Sequence, residues 1–586
     1  MRWRHAHTCF VGRINKSNYN NIIKAMQKKH LFLLSAASVM LLTSCSSSLG
    51  ELSADNFSVD PDPLETIAGQ VPTTINGVFP EKYMKKKAVV TVTPELRYGD
   101  GLVTKGTSAT FQGEKVSGND QTISYEVGGN YTMRTSFTYV PEMHESELYL
   151  TFDAYVGSKS QSIPEVKVAD GVIATSELAV AKTVGQASLS ESVDAYQRII
   201  DHKQEANIKF LIQQANIRKS ELQTNSVTDF VNLLKEIGAE QDSLNLKNIE
   251  LAAYASPDGG YELNEKLASQ RRANTEEYLN KQLKNTNLAS ASVDAKYTAE
   301  DWDGFQELVK VSDIQDKDVI LRVLSMYKDP EEREEQIRNM SSVFQELADG
   351  ILPELRRSRL TINYEVIGRS DEEILAQFKE DPSQLSLEEL LYGATLTDDA
   401  DLKEAIYKAA VDQYPDDSRA YNNLSVLAYN EGDYSTAKKY AEKALEKDAN
   451  NADAKCNLGM IALVEGDVQT AESYISQASG AANYQEALGN LHLVQGKYAQ
   501  AEQDFGNTNS NSAALAQLLN KNYSAASNTL NNVNPADGTT DYLKAIVNAR
   551  QGNDDAAATA LKSAISKDSY YEDFSADDLE LVNVSK

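Results

Sequence analysis

The 586-residue chain is poor in the side chains on which catalysis and metal binding most often rest, with three cysteines, six histidines and two tryptophans. Cys9, Cys45 and Cys456 form no CxxC pair, and no HExxH or phosphate-loop pattern occurs. Beyond residue 45 only His144, His202 and His492 remain, in three separate predicted segments, which argues against a histidine triad or zinc site. The expectation is a protein without enzymatic activity, cofactor or metal. Basic residues are also in deficit, 57 against 86 acidic ones, and the net charge of -29 repels nucleic acid. With 30 glycines and 13 prolines the chain is neither collagenous nor mostly disordered. The clearest apolar run, Leu31 to Leu42, is shorter than the roughly 20 residues of a bilayer span.

What is present begins with a charge asymmetry. Residues 1 to 45 hold seven Lys or Arg and no acid; the rest of the chain has 50 basic against 86 acidic residues, or -36. Met26-Gln27-Lys28-Lys29-His30 is a basic head before the apolar run, the layout of an export signal over 26-44. Leu42-Thr43-Ser44-Cys45 then resembles the lipobox of bacterial lipoproteins. The resemblance implies that Cys45 is lipidated and becomes the mature terminus, and that residues 1-25 are a non-native extension upstream of a start at Met26. Acyl chains contribute about 0.8 kcal/mol per buried CH2, so more than one anchors the protein durably. Cys456 is then the one thiol left, and no intramolecular disulfide is possible.

The stretch 45-70, serine-rich and then acidic and broken by prolines, reads as the lipidated cysteine and a flexible tether. Lipoproteins sent to the surface in some Gram-negative phyla carry acids directly behind the cysteine. Serines here favour the periplasmic side of the outer membrane. Residues 71-185 switch to period two, with Leu148, Leu150, Phe152, Ala154 and Val156 on one face and Tyr149, Thr151, Asp153 and Tyr155 on the other. With glycine-rich turns between such runs, this predicts an antiparallel β-sandwich. Its aromatic residues fit either a core and rim or a ligand face. Residues 186-200 read as a linker.

From 201 to 372 strands and helices alternate. Strand Ile249 to Tyr254 leads into Ser256-Pro257-Asp258-Gly259-Gly260, a helix follows from Asn264 to Leu283, and Arg359 to Val366 alternates as a closing strand. The run from Ala253 to Gly259, with Asn264, Leu267, Ala268, Arg271 and Tyr278-Leu279, resembles the OmpA-like domain, and Glu354 to Arg359 resembles its closing double-arginine strand. The resemblance implies an α+β fold that binds peptidoglycan, in which an Asp and an Arg clamp the charged ends of diaminopimelate. Arg271 falls on that Arg, but Ser256 stands at the Asp position. Asp258 is a substitute if the turn brings it inward, and Arg271 is otherwise a surface cation on a retained scaffold. Asn264 completes the candidate site. A helical insertion at about 300-350 carries Trp302, either as core or as part of an interaction surface.

Over 373-586 a period of 34 emerges: Tyr421, Leu424, Gly432, Tyr434, Ala437 and Ala444 recur as Lys455, Leu458, Gly466, Val468, Ala471 and Ala478. Leu390 and Ala410 continue it backwards, and degenerate copies run on to about 570. The pattern resembles tetratricopeptide repeats, which implies stacked helical hairpins around a concave groove for protein partners. Asn422, Asn423, Tyr429 and Asn457 are candidates to line that groove, with solvated polar positions as the alternative. Asp573, Asp577, Asp578 and Glu580 form an acidic tail.

Two functions follow. One is a lipid-anchored tether between outer membrane and peptidoglycan that presents repeats to protein partners. The other is a scaffold subunit of a secretion or surface-assembly complex that no longer binds the wall.

Overall fold

The computed structural model describes residues 49-584 apart from 315, 340 and 577, and contains two compact units, 1-173 and 174-586. The expected signal peptide, the upstream extension and Cys45 lie outside the described residues.

The first unit is β-rich. Phe57–Asp60, Gln70–Phe79 and Gly129–Thr138 form a three-stranded antiparallel sheet. A larger sheet centres on Ala88–Tyr98 and Ser146–Val156, paired antiparallel from Ala88 with Val156 to Tyr98 with Ser146. One core holds side chains from both, Val71, Ile75 and Phe79 on one side and Val90, Val92, Leu148 and Leu150 on the other, so the unit is a sandwich. Most of the aromatic residues on the strands belong to this core: Phe79, Phe111 and Tyr131 lie within 4.3 to 5.3 Å of one another. Three expectations need correction. Two short pairings, Val166–Ile173 with Leu64–Glu65 and Ala109–Gly113 with Gln121–Ile123, are parallel. The tether does not reach residue 70, because Leu49, Leu52 and Leu64 are buried and Phe57 and Val59 pack against the same core while the acids between them face water. The unit also ends at 173, not 185.

The second unit contains a four-stranded sheet and a helical array. The sheet has the spatial order Ile199–Lys209, Arg357–Ile367, Leu244–Tyr254, Val293–Thr298, antiparallel except for the last pair. Its first strand starts at 199 because it pairs with Arg357–Ile367 over eleven residues. Helices Asn225–Ala239 and Tyr261–Leu283 cover it through Val227, Phe230, Leu234, Ile237, Leu279 and Leu283. Between strands Val293–Thr298 and Arg357–Ile367 in the chain, short helices from Trp302 to Leu355 close a core of their own around Phe305, Val309, Ile320, Leu324 and Leu347. Trp302 is half-buried at its edge, against Phe305 and under Arg333.

After Asp371–Glu380 the array is a run of antiparallel helical hairpins, from Leu387–Thr395 with Ala400–Gln413 to Gly538–Arg550 with Asp554–Lys567. Small residues set the approach within each: a Cβ on Gly459 would sit 2.4 Å from Ile475, and one on Gly489 2.8 Å from Phe505. Gly432, Gly466, Gly496 and Gly552 end first helices at φ between 73° and 80°, a conformation that glycine adopts without strain. The degenerate copies fold as hairpins too, with Lys521 taking the glycine position at φ 64°.

Residues 186-200 are not a free linker. From Ala174 to Arg198 the chain runs as a strap along the inner helices of the array, beginning at its last hairpin and ending at its first. The middle domain is therefore inserted between strap and array. Its two ends meet where Gly368 N–H donates to the Arg198 carbonyl at 2.6 Å.

Candidate functional site

The inner helices carry polar side chains on the face that meets the strap. Asn422, Asn423, Tyr429 and Asn457 are all buried, and each meets the strap. Asn457 accepts from Ser190 N–H at 2.7 Å and donates to the Ser190 carbonyl at 2.8 Å. Asn423 makes the same two-point contact with Ser192, at 2.8 and 3.0 Å. Asn422 donates to Ser190 O at 2.9 Å and accepts from Asn457 at 2.9 Å. Tyr429 donates to the Val184 carbonyl at 2.9 Å, and burial pushes its phenol above the ordinary range. These residues line the groove as the sequence allowed, but they are not solvated, because the chain itself fills the space.

The spacing explains the pattern. In an extended segment residues i and i+2 present N–H and C=O to the same edge, and the Asn amide offers one acceptor and one donor to match them. The hydroxyls of Ser190 and Ser192 both donate to Asp453, at 2.6 and 3.0 Å. Asn483 donates to Leu189 O at 2.7 Å. Asp453 and Asn483, missed in the sequence, lie on the same inner face as Asn457.

The strap has two halves of different chemistry. Up to Leu189 it is held by apolar burial: Leu178 and Ala179 join the core of the last hairpins, and Val184, Ala187 and Leu189 that of the middle ones. Thr175 donates to Glu580 at 2.8 Å, itself held by Arg550, and Lys182 reaches Asp568 at 2.8 Å over the ring of Tyr570. Glu580 and Asp568 therefore have structural partners, and Asp578 accepts from Tyr542 and is pushed up to about 6 by burial. From Ser190 to Ala195 contacts are almost wholly polar, ending with Ala195 N–H on Glu388 at 2.6 Å.

The second candidate is the pocket of the middle domain. Arg271 lies on the buried face of helix Tyr261–Leu283, in line with Leu267, Ala268 and Thr275, and is 1% exposed. It is not a surface cation. It donates to the carbonyls of Gln214, Tyr254 and Leu211 at 3.0, 2.8 and 3.4 Å, stacks over Phe210, and makes no ion pair among the described residues. Burial first, then repulsion from Arg356, pushes it down to about 10.

Asp258, the carboxylate whose charge reaches it, is already engaged. It pairs with Arg356 at 2.7 Å and accepts from the Ser256 hydroxyl at 2.6 Å, while Arg356 also donates to Ser256 at 3.2 Å. Asn264 turns its amide to the Gly259 carbonyl at 2.6 Å and so fixes the loop. Ser256, Asp258, Asn264 and Arg271 thus share one small cavity of about 30 Å³, enough for a water or the head of a carboxylate. Ile212 and Leu263 make an exposed apolar rim. The role of Arg356 was hidden because it lies about 100 residues from its partners.

Elsewhere, His202 stacks on Tyr364 and His492 meets Asp504 at 2.6 Å in the array. Burial pushes the Cys456 thiol up to about 12. Among the described residues no cluster of His, Cys, Asp or Glu is placed to hold a metal, and no helix is long and apolar enough to cross a membrane.

Residues 426–486, two inner helices with the outer helices beside them, match the family model of the tetratricopeptide repeat. Over these residues the array consists of tetratricopeptide repeats. Solved structures similar to the chain include a tetratricopeptide repeat protein from Parabacteroides merdae, at 14% identity over 42% of this chain and 98% of that one, with a TM-score of 0.28. Pseudomonas aeruginosa pilF is 20% identical over 36% and 100%, with a TM-score of 0.27, and yeast Tom70 is 12% identical over 62% and 82%, with a TM-score of 0.24. No curated protein matches the sequence. Repeats of this kind are scaffolds for protein interaction, and the strap in the groove is one such interaction made within the chain.

Proposed function

We propose that the protein is a non-enzymatic, lipid-anchored scaffold of the bacterial cell envelope. Cys45 holds it to the outer membrane on the periplasmic side, the OmpA-like middle domain holds the peptide stem of the wall, and the tetratricopeptide repeats serve protein partners. The observation that carries the wall contact is the charge count at the pocket. Two guanidinium groups, the buried Arg271 and the half-buried Arg356, face a single carboxylate, Asp258, which is paired with Arg356. Carbonyl dipoles satisfy the donors of Arg271 but leave its charge unbalanced, and a buried charge without a counter-ion is costly. A carboxylate entering the cavity balances it. The apolar rim suits the aliphatic part of a stem peptide.

The diaminopimelate ammonium finds less: Ser256 carries no charge and Asp258 is committed. This favours, as a second reading, a scaffold of a secretion or surface-assembly complex that has lost wall affinity. Co-sedimentation of the chain with purified peptidoglycan separates the two. Binding that disappears in Arg271→Ala establishes the tether; no binding by the parent, with the fold intact by circular dichroism, establishes the second reading. Cys45→Ala is expected to release the protein from membranes, and continued retention contradicts the anchor.

A further inference from the structure

The two halves of the strap differ in what their removal would expose. Leu178, Val184 and Leu189 are at most 4% exposed and complete apolar cores, so lifting them opens dry cavities. Beneath Ser190 to Ala195 lie Asn422, Asn423, Asn457, Asp453 and Glu388, all of which water can satisfy. The half that leaves an apolar surface is fixed, whereas the half that leaves a polar one is free to exchange. Burial alternates along the second half, with Ser190 and Ser192 buried, Glu191 exposed and Val193 77% exposed, so only the hydroxyl positions and the backbone are read.

We propose that the inner face from Asn483 to Glu388 is a binding site for an extended segment with two hydroxyl residues two positions apart. Ser190 to Ala195 holds the site closed until an incoming segment displaces it. Asp453 selects the two hydroxyls and Asn422, Asn423 and Asn457 take the backbone, so the positions between are free to vary. This names the partner chemistry of the repeats and rests on the reading that they serve protein partners; it is independent of the wall. Because the resident segment is tethered, it competes at an effective concentration of the order of millimolar, and an outside segment binds weakly until the tether is loosened.

The test is fluorescence anisotropy of a labelled peptide, Ser-Leu-Ser-Glu-Ser-Val-Asp-Ala, with the full chain. Ser190→Pro removes the N–H given to Asn457 and loosens the strap. The expected result is at least tenfold tighter peptide binding by Ser190→Pro than by the parent, abolished by adding Asn457→Ala and weakened by replacing both peptide serines at the hydroxyl positions with alanine. Unchanged binding in Ser190→Pro of native helicity, or binding indifferent to Asn457, overturns the proposal. Should Ser190→Pro fail to fold, amide exchange of the parent decides: Ser190 and Ser192 are expected to exchange at least tenfold faster than Val184 and Ala187, whose N–H groups are bonded within the first half. Equal protection of both halves means a permanent strap and no such site. Peptide bound elsewhere on the repeats, indifferent to Asn457, would keep the scaffold reading and overturn this site.

Discussion

The groove of the repeats and the pocket of the middle domain both bury polar side chains on the core-facing side of a helix, yet they reach different ends. In the groove the buried groups are neutral amides, and a neighbouring backbone satisfies them completely: Asn457 and Asn423 each give and take one hydrogen bond with a single strap residue. In the pocket the buried group is a cation. Three carbonyls occupy Arg271, but none cancels its charge. Hydrogen bonds can be closed within the chain, whereas a net charge calls for an anion. The groove is therefore closed by a segment of the same chain, whereas the charge of Arg271 has no counter-ion of its own among the described residues.

The sharpest way to break this contrast is Asn457→Ala, which leaves the Ser190 N–H and the side-chain oxygen of Asn422 without their partner beneath the strap. A loss of about 3 kcal/mol is expected, read as a lower denaturation midpoint; a change under about 0.5 kcal/mol would mean that water already reaches the groove. Next is Asp578→Asn, at the anchored end of the strap. Burial raises the Asp578 carboxyl to about 6, so the folded state holds its proton more tightly than the unfolded one, and its contribution to stability falls as pH rises from about 4 to 6. The variant is expected to gain about 2 kcal/mol relative to the parent between pH 4 and pH 7, measured by urea unfolding at both.

Ser256→Asp sharpens the pocket side. A second carboxylate near Arg356 and Arg271 balances the charge, and about 1 kcal/mol of stabilisation is expected at pH 7. Its pKa is held low, so the gain is present above about pH 4 and lost as pH falls further. Destabilisation instead would show that repulsion from Asp258 dominates and that the pocket has no charge to spare. The smallest effect is expected from Tyr196→Phe, which removes one bond to the Arg369 carbonyl but keeps the stack on Tyr392. About 0.5 to 1 kcal/mol is expected.

The sequence made the β-rich start, the alternating middle and the helical repeats legible because each rests on local periodicity. Leu148, Leu150 and Ala154 mark a strand face, and Gly432 and Gly466 mark the repeat. The groove residues Asn422, Asn423, Tyr429 and Asn457 were legible as a group because repeats place their inner helices in register. What escaped was everything with no period. Ala174 to Arg198 has only short 3-10 and π-helical turns over 175-186 and no α-helix or strand pattern, so the burial of Leu178, Val184 and Leu189 depends on helices more than 200 residues away. The acidic stretch before Pro63 escaped for the same reason: strand Phe57–Asp60 is stabilised by a partner, not by its own composition. The burial of Arg271 became visible only with Ala268 and Thr275 beside it on one helix face.

The strap is part of the repeat array. Because Arg198 and Gly368 are in contact, a short Gly-Ser loop can replace residues 199-367, giving a chain of strap and array alone, to be compared with the array from 369 onward without the strap. Thermal unfolding of the two is the most direct measurement. One cooperative transition with the strap, and a midpoint at least 10 °C lower or no cooperative transition without it, is the predicted result. An array that melts equally well without residues 174-198 would contradict it.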